Sequence, residues 1–95
     1  MTASEPTITH DTGLGRYEIR LDDKVVGYTE YRDRAGRRIF VHTVVEPGHE
    51  GAGLGSRLIR GALDDTRAHG MRIVARCPFV RAFVERHREY LEPVD

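Results

Sequence analysis

Three features of this chain carry residue types that can do chemistry. They are a glycine-dense stretch, Glu46-Pro47-Gly48-His49-Glu50-Gly51-Ala52-Gly53-Leu54-Gly55-Ser56, the single cysteine, Cys77, and a strand histidine, His42. A β-branched apolar run, Ile39 to Val45, feeds the glycine stretch, and an amphipathic helix pattern leaves it. A strand emptying through glycines into a helix start is an anion site: the backbone approaches closely, first-turn N–H groups lack intrahelical partners, and the dipole favours negative charge. Two familiar phosphate loops do not fit. Gly55-Ser56 lacks the lysine of a P-loop, and the Gly51-x-Gly53-x-Gly55 spacing is not the dinucleotide fingerprint. Cys77 stands between Arg76 and Pro78 at a strand-to-helix junction, where a helix start makes a thiol more reactive; the alternative is a small buried hydrophobe. A neutral His42 can accept a proton from an incoming nucleophile, and the alternative is a core histidine bonded to backbone.

Composition bounds the partners. At 95 residues with 39% apolar content the chain is one small domain, and no run approaches the roughly 18 apolar residues of a membrane span. No basic segment leads into an apolar one at the N-terminus, so a cytoplasmic location and no membrane partner are expected. Fifteen basic residues balance fifteen acidic ones, leaving no global field for nucleic acid. A local basic cluster, Arg32, Arg34, Arg37 and Arg38, reads as a solvated turn, with a phosphate contact as the alternative. One cysteine and five scattered histidines offer no metal-ligand spacing, so no metal site is expected.

The elements that must position these groups follow from periodicity. Residues 1–7 are polar and expected to be disordered, and 8–12 is a short edge strand or ordered coil. Arg16 to Leu21 alternates as a half-buried strand, with Tyr17, Ile19 and Leu21 inward. Val25 to Tyr31 returns as a second strand, in which Gly27 signals a bulge or close packing. Asp33-Arg34-Ala35-Gly36 then makes a turn into Arg38 to Glu46. That strand sets Ile39, Val41, Thr43 and Val45 on one face and Phe40, His42 and Val44 on the other, as if covered on both sides. Leu54, Leu58, Ile59, Ala62, Leu63 and Thr66 form one helical stripe, closed by His69-Gly70. Met71 to Arg76 is a strand parallel to its predecessor, because strand–helix–strand is a crossover. Pro78 opens a last helix, with Phe79, Val80, Phe83, Val84 and His87 on one stripe and both phenylalanines read as core. The expected fold is α+β, an antiparallel β-meander followed by a β-α-β crossover and a C-terminal helix.

Val45-Glu46-Pro47 followed by Glu50-x-x-Gly53-Leu54-Gly55-Ser56 and an amphipathic helix resembles the acyl-coenzyme A loop of the GCN5-related N-acetyltransferases. Three segments together resemble the small YjdJ-type branch: Phe40-Val41-His42-Thr43, Gly53-Leu54-Gly55-Ser56-Arg57-Leu58, and Cys77-Pro78-Phe79-Val80 with His87-x-Glu89-Tyr90. The resemblance runs from about Tyr17 to Tyr90. It implies a minimal GNAT-like fold that takes acetyl-CoA as cofactor. Ala52, Gly53, Leu54, Gly55 and Ser56 would hold the pyrophosphate, with Glu50 and Gly51 counted among the cofactor-binding residues of the same loop, and the pantetheine arm would lie along Val44 and Val45, flanked by the helix starting near Phe79. The thioester would sit between the splayed ends of the third and fourth strands of that scheme. Two positions depart from the pattern: Glu50 stands where Arg or Gln is usual, and Val44 where a glutamate commonly follows His-Thr.

On this reading the chain is an N-acetyltransferase-like protein that passes acetyl to an unidentified amine acceptor, with Cys77 and His42 as candidate catalytic residues. Tyr90 is a weaker candidate for protonating the departing thiolate, and packing is its other role. A non-catalytic acyl-CoA-binding module is the alternative, favoured by Val44, and a structural domain whose loop binds nothing is the third. A monomer or a homodimer is compatible with so small a domain.

Overall fold

Strand β2 (Arg16–Leu21) shows how alternation builds this protein in the computed structural model, which describes residues 5–49 and 53–91. Tyr17 and Ile19 point into the core, as their spacing predicts. Between them Glu18 is also buried, on the other face, because Arg16 and Arg20 each close on its carboxylate at 2.8 Å. Neighbouring guanidinium groups supply the counter-charge that a buried carboxylate needs. β1 (Thr7–Asp11) pairs antiparallel with β2 and sets Ile8 opposite Ile19, so the N-terminal segment is a strand. Of residues 1–7, expected to be disordered, 1–4 lie outside the described residues and Thr7 already belongs to β1.

β2 turns into β3 (Lys24–Arg34) through Asp22 and Asp23, both at positive φ, the two-residue connection that suits the twist of a hairpin. Val26 is an extra residue on β3, since Ile19 pairs Gly27 and Arg20 pairs Val25. A Cβ on Gly27 would lie 3.0 Å from the Val44 carbonyl oxygen, so both the bulge and the close packing signalled by that glycine are present. The next turn is Ala35-Gly36, later than expected, and it leads into β4 (Arg37–Val45). Arg32 and Arg34 therefore sit on a strand, and Arg38 is buried rather than solvated.

β4 differs from strict alternation. Glu30 pairs His42 and Tyr31 pairs Phe40, which leaves Val41 as a bulge. Thr43 and Val45 consequently share the helix-facing side with Arg38 and Phe40, while Ile39, His42 and Val44 face away and Val41 is exposed. Helices cover only one face of β4, so the strand is not buried on both sides.

Helix α1 (Leu54–Ala68) buries Leu58, Ile59, Ala62, Leu63 and Thr66 against the sheet. Each large apolar side chain so buried contributes about 1.5–3 kcal/mol. The helix ends as its sequence indicates. Gly70, at φ 72°, donates to the Arg67 carbonyl and Met71 to that of Thr66, the paired bonds of a Schellman stop. β5 (Arg72–Ala75) then lies parallel to β4, giving a five-stranded sheet in the order β1-β2-β3-β4-β5. α2 (Pro78–Arg86) packs on the same face as α1, burying Val80, Phe83 and Val84. It stops at His87, and residues Arg88–Leu91 form a separate 3-10 turn rather than a continuation of the helix. The result is a two-layer α+β fold with one core between the sheet and two helices.

Candidate functional site

The parallel pairing of β4 and β5 covers only Arg37–Phe40 against Arg72–Ala75. The Phe40 carbonyl accepts from the N–H groups of both Arg76 (3.1 Å) and Cys77 (2.9 Å), which ends the ladder and turns the chain into α2. Beyond that point β4 continues to Val45 with no β5 partner among the described residues. The two strands form a fork, and one arm is an open backbone edge able to pair with an extended ligand.

Beside the fork is a cleft of about 100 Å³ lined by Val45, Gly53, Gly55, Ser56 and Phe79. Gly53 caps α1 at φ 73°, a left-handed conformation that glycine adopts without a Cβ penalty. Among the described residues no side chain caps this helix start, which leaves its first-turn N–H groups able to meet an external acceptor. The Phe79 ring lies against Gly55: a Cβ there would stand 2.5 Å from Phe79 Cζ. Phe83 is core as expected, but Phe79 is not. It is 43% exposed and walls the cleft, because Gly55 offers a flat surface at the helix start.

Five of the residues expected to hold a cofactor are thus brought together. Leu54 instead enters the core, and Val44 faces the opposite side of the sheet. Glu50, Gly51 and Ala52 lie outside the described residues.

The two catalytic candidates do not converge. Cys77 is the N-cap of α2, buried, with its thiol donating to the Thr43 hydroxyl at 3.3 Å. Thr43 in turn shares a 2.9 Å hydrogen bond with Thr29. The sulfur therefore stands on the helix side of the fork. His42 is exposed on the other face, opposite Glu30 and 6.3 Å from the Tyr28 ring. Tyr90 is a packing residue: it is buried, and its hydroxyl donates to Asp64 at 2.6 Å. Burial first, and then that bond, raise its phenol above the ordinary value.

The sequence reading missed a polar network at the far end of α1. The Tyr17 hydroxyl donates to Asp65 and accepts from Arg38, each at 2.6 Å, and Arg38 also grips both oxygens of Asp33 at 2.8 Å. His10 stacks on Tyr17 with ring centres 4.1 Å apart and bonds the Tyr31 hydroxyl. Burial first, then the bond to Asp65, push the Tyr17 phenol up to about 12. Burial and the Arg38 charge lower His10, burial raises Tyr31, and the Arg38 bonds hold the Asp33 carboxyl below its usual range. Asp65 is ten residues past Gly55, about 15 Å along the helix, so this network is remote from the cleft. The available signal was Arg38, which alternation sets on the same face as Phe40; a charge at an inward position requires a buried partner.

Among the described residues no group of His, Cys, Asp or Glu could hold a metal ion, and no helix is long and apolar enough to cross a membrane. A sequence model of the GCN5-related N-acetyltransferases matches residues 16–94. A GCN5-like protein from Staphylococcus aureus, solved by NMR, is similar in fold, with a TM-score of 0.68 and 21% identity over 88% of this chain and 82% of that one. A GNAT-family protein from Desulfovibrio desulfuricans superposes with a TM-score of 0.60 at 26% identity. That match covers 76% of this chain and 52% of the other, so the present chain spans about half its length. No curated protein sequence matches the chain.

Proposed function

The chain belongs to the GCN5-related N-acetyltransferase family, and on that premise we propose that it binds acetyl-CoA beside the fork and passes the acetyl group to an amine. The observation that carries this reading is the start of α1, which no described side chain caps, with Gly53, Gly55 and Ser56 opening into one cleft with Val45 and Phe79 next to a strand edge that no described strand pairs. A pyrophosphate suits the helix start, and a pantetheine amide suits the β4 edge, where backbone N–H and C=O groups would otherwise meet water. Acetyl-CoA supplies the thioester. Attack by the amine nitrogen forms the amide bond, breaks the C–S bond and releases the CoA thiol, while the nitrogen gives up one proton.

Among this chain's own residues, Cys77 and Thr43 form a small polar patch on the helix side of the fork, and His42 offers an exposed imidazole on the other side. The separation of those groups favours a second reading, a non-catalytic acyl-CoA-binding module. Both readings imply a cytoplasmic protein with access to the acyl-CoA pool, as a monomer or homodimer.

Calorimetry with CoA and acetyl-CoA tests the shared premise: saturable binding is expected, and no heat of binding would sink both readings. A panel of primary amines scored by thiol release then separates them, since flat rates across the panel leave only the binding module. Intact-mass measurement after incubation with acetyl-CoA tests the thiol. An added acetyl group that disappears in Cys77→Ser assigns Cys77 as an acceptor.

A further inference from the structure

A cavity of about 420 Å³ is lined by Arg32, Asp33, Arg34, Ile39, Val41 and Arg76. It opens on the sheet face turned away from the helices, because Ile39 alternates with the inward Arg38 and Phe40 and the bulge turns Val41 outward. Its floor is apolar. Its mouth is the fork: Val41 is the first β4 residue past the last β4–β5 pair, and Arg76 is the first residue past β5.

Three guanidinium groups from two separate stretches of chain surround that floor. None of Arg32, Arg34 and Arg76 makes a side-chain hydrogen bond or ion pair with a described residue. The one acid in the lining, Asp33, is already held by Arg38 through two 2.8 Å bonds, so its charge is matched. On a chain whose charges cancel overall, this is a local excess of three positive charges around an apolar surface. Arginine binds carboxylate and phosphate oxygens in a two-pronged geometry and stays charged throughout the working pH range.

We infer that this groove seats the acyl acceptor, a small primary amine whose far end is an anion and whose middle is apolar. The anion lies among Arg32, Arg34 and Arg76, the apolar segment lies on Ile39 and Val41, and the amine reaches the fork. The acceptor role rests on the acetyl-CoA reading above; the anion site does not.

The first measurement therefore leaves acetyl-CoA out. The full chain, labelled with 15N, is titrated with 4-(aminomethyl)benzoate, with 4-(aminomethyl)benzamide, which keeps the ammonium but lacks the carboxylate, and with phenyl phosphate. Saturable shifts at the Val41 and Arg76 amides are expected for at least one anion, with the benzamide about tenfold weaker or more. Benzoate against phosphate tells which anion the arginines prefer. R32Q/R34Q and R76Q should each weaken anion binding about tenfold, while R32Q/R34Q keeps the CoA affinity of the parent in calorimetry. Absent saturation, or equal binding by the benzoate and the benzamide, overturns the site.

The second measurement is thiol release from acetyl-CoA with the same amine pair. Preference for the benzoate, lost in R32Q/R34Q, supports the acceptor role; equal rates for acid and amide overturn it. If CoA does not bind but the anion does, the acetyl-CoA reading and the acceptor role fall together and the anion site stands.

Discussion

Gly55→Ala separates the cleft from the fold. The new Cβ would lie 2.5 Å from Phe79 Cζ and 3.3 Å from Cε1 and Cε2, so the ring must retreat by about 1 Å to reach ordinary contact. Phe79 is 43% exposed, so the retreat displaces solvent more than packed neighbours. In the other direction, alanine is favoured over glycine inside a helix by about 0.5–1 kcal/mol. These terms are similar in size and opposite in sign. Net stability should change by less than about 1 kcal/mol, which for a domain this small is a Tm shift of no more than about 4–8 °C. The cleft has no such compensation. It holds about 100 Å³, Gly55 forms part of its wall, and the added methyl together with the displaced ring occupies the space a pantetheine arm needs. CoA affinity should fall about tenfold or more, equivalent to about 1.4 kcal/mol. Calorimetry with CoA reads the affinity and thermal unfolding reads the stability. Combining the change with Phe79→Leu should return part of the affinity by restoring room. Unchanged CoA affinity in a folded Gly55→Ala protein would refute the assignment of the cleft, and a loss of several kcal/mol in stability would show that the ring is pinned.

Tyr17→Phe removes a hydroxyl that both donates to Asp65 and accepts from Arg38, and should cost about 1–3 kcal/mol in urea unfolding; a cost near zero would mean the network adds nothing to stability. In the parent, stability should also decline as pH rises from 10 to about 12, because the unfolded chain ionises Tyr17 before the folded one does, and the phenylalanine variant should lack that part of the decline. Ala35 holds φ 54°, a strained value for a side chain with a Cβ, so Ala35→Asn should raise stability by up to about 1 kcal/mol, read as a higher urea midpoint. His10 is half-buried, and partial burial and the Arg38 charge lower its proton affinity, so below pH 6.5 the unfolded chain takes up a proton that the folded chain resists. Stability should therefore drop as pH falls from 6.5 towards 5, with a shallower slope in His10→Asn. Equal slopes would remove His10 from the account.

The helices were legible from periodicity because one stripe of α1 does nearly all of its packing, and Gly70 announces the stop chemically. The crossover followed from chain order alone. What sequence did not reveal was the half of β4 that matters most. Alternation has a period of two, and one inserted residue reverses every later side chain. Val41 is such a residue, and nothing in its type marks it as a bulge. Phe79 was misread for a related reason: its place on the α2 stripe is real, but whether that edge is covered depends on Gly55, distant in sequence and close in space. The tyrosine–arginine network was half legible, since an inward Arg38 demands partners, but its partners come from β1, β2, β3 and α1, and no local pattern names them.

The Val41 bulge ties these features together. It turns Thr43 and Val45 towards the helices, where one meets the Cys77 thiol and the other lines the cleft, and it leaves His42 and Val44 outside. The bulge also adjoins the position where β4 parts from β5, because the ladder closes on the Phe40 carbonyl one residue earlier. A strand that obeyed alternation would carry His42 to the helix side beside Cys77 and send Val45 out of the cleft. The residue that shapes the cleft therefore also keeps the His42 imidazole and the Cys77 thiol on opposite faces. The fork is left with a buried sulfur on one face and an exposed imidazole on the other, and any acceptor amine served by His42 must arrive from the open face, where Arg76 and Val41 frame the entrance.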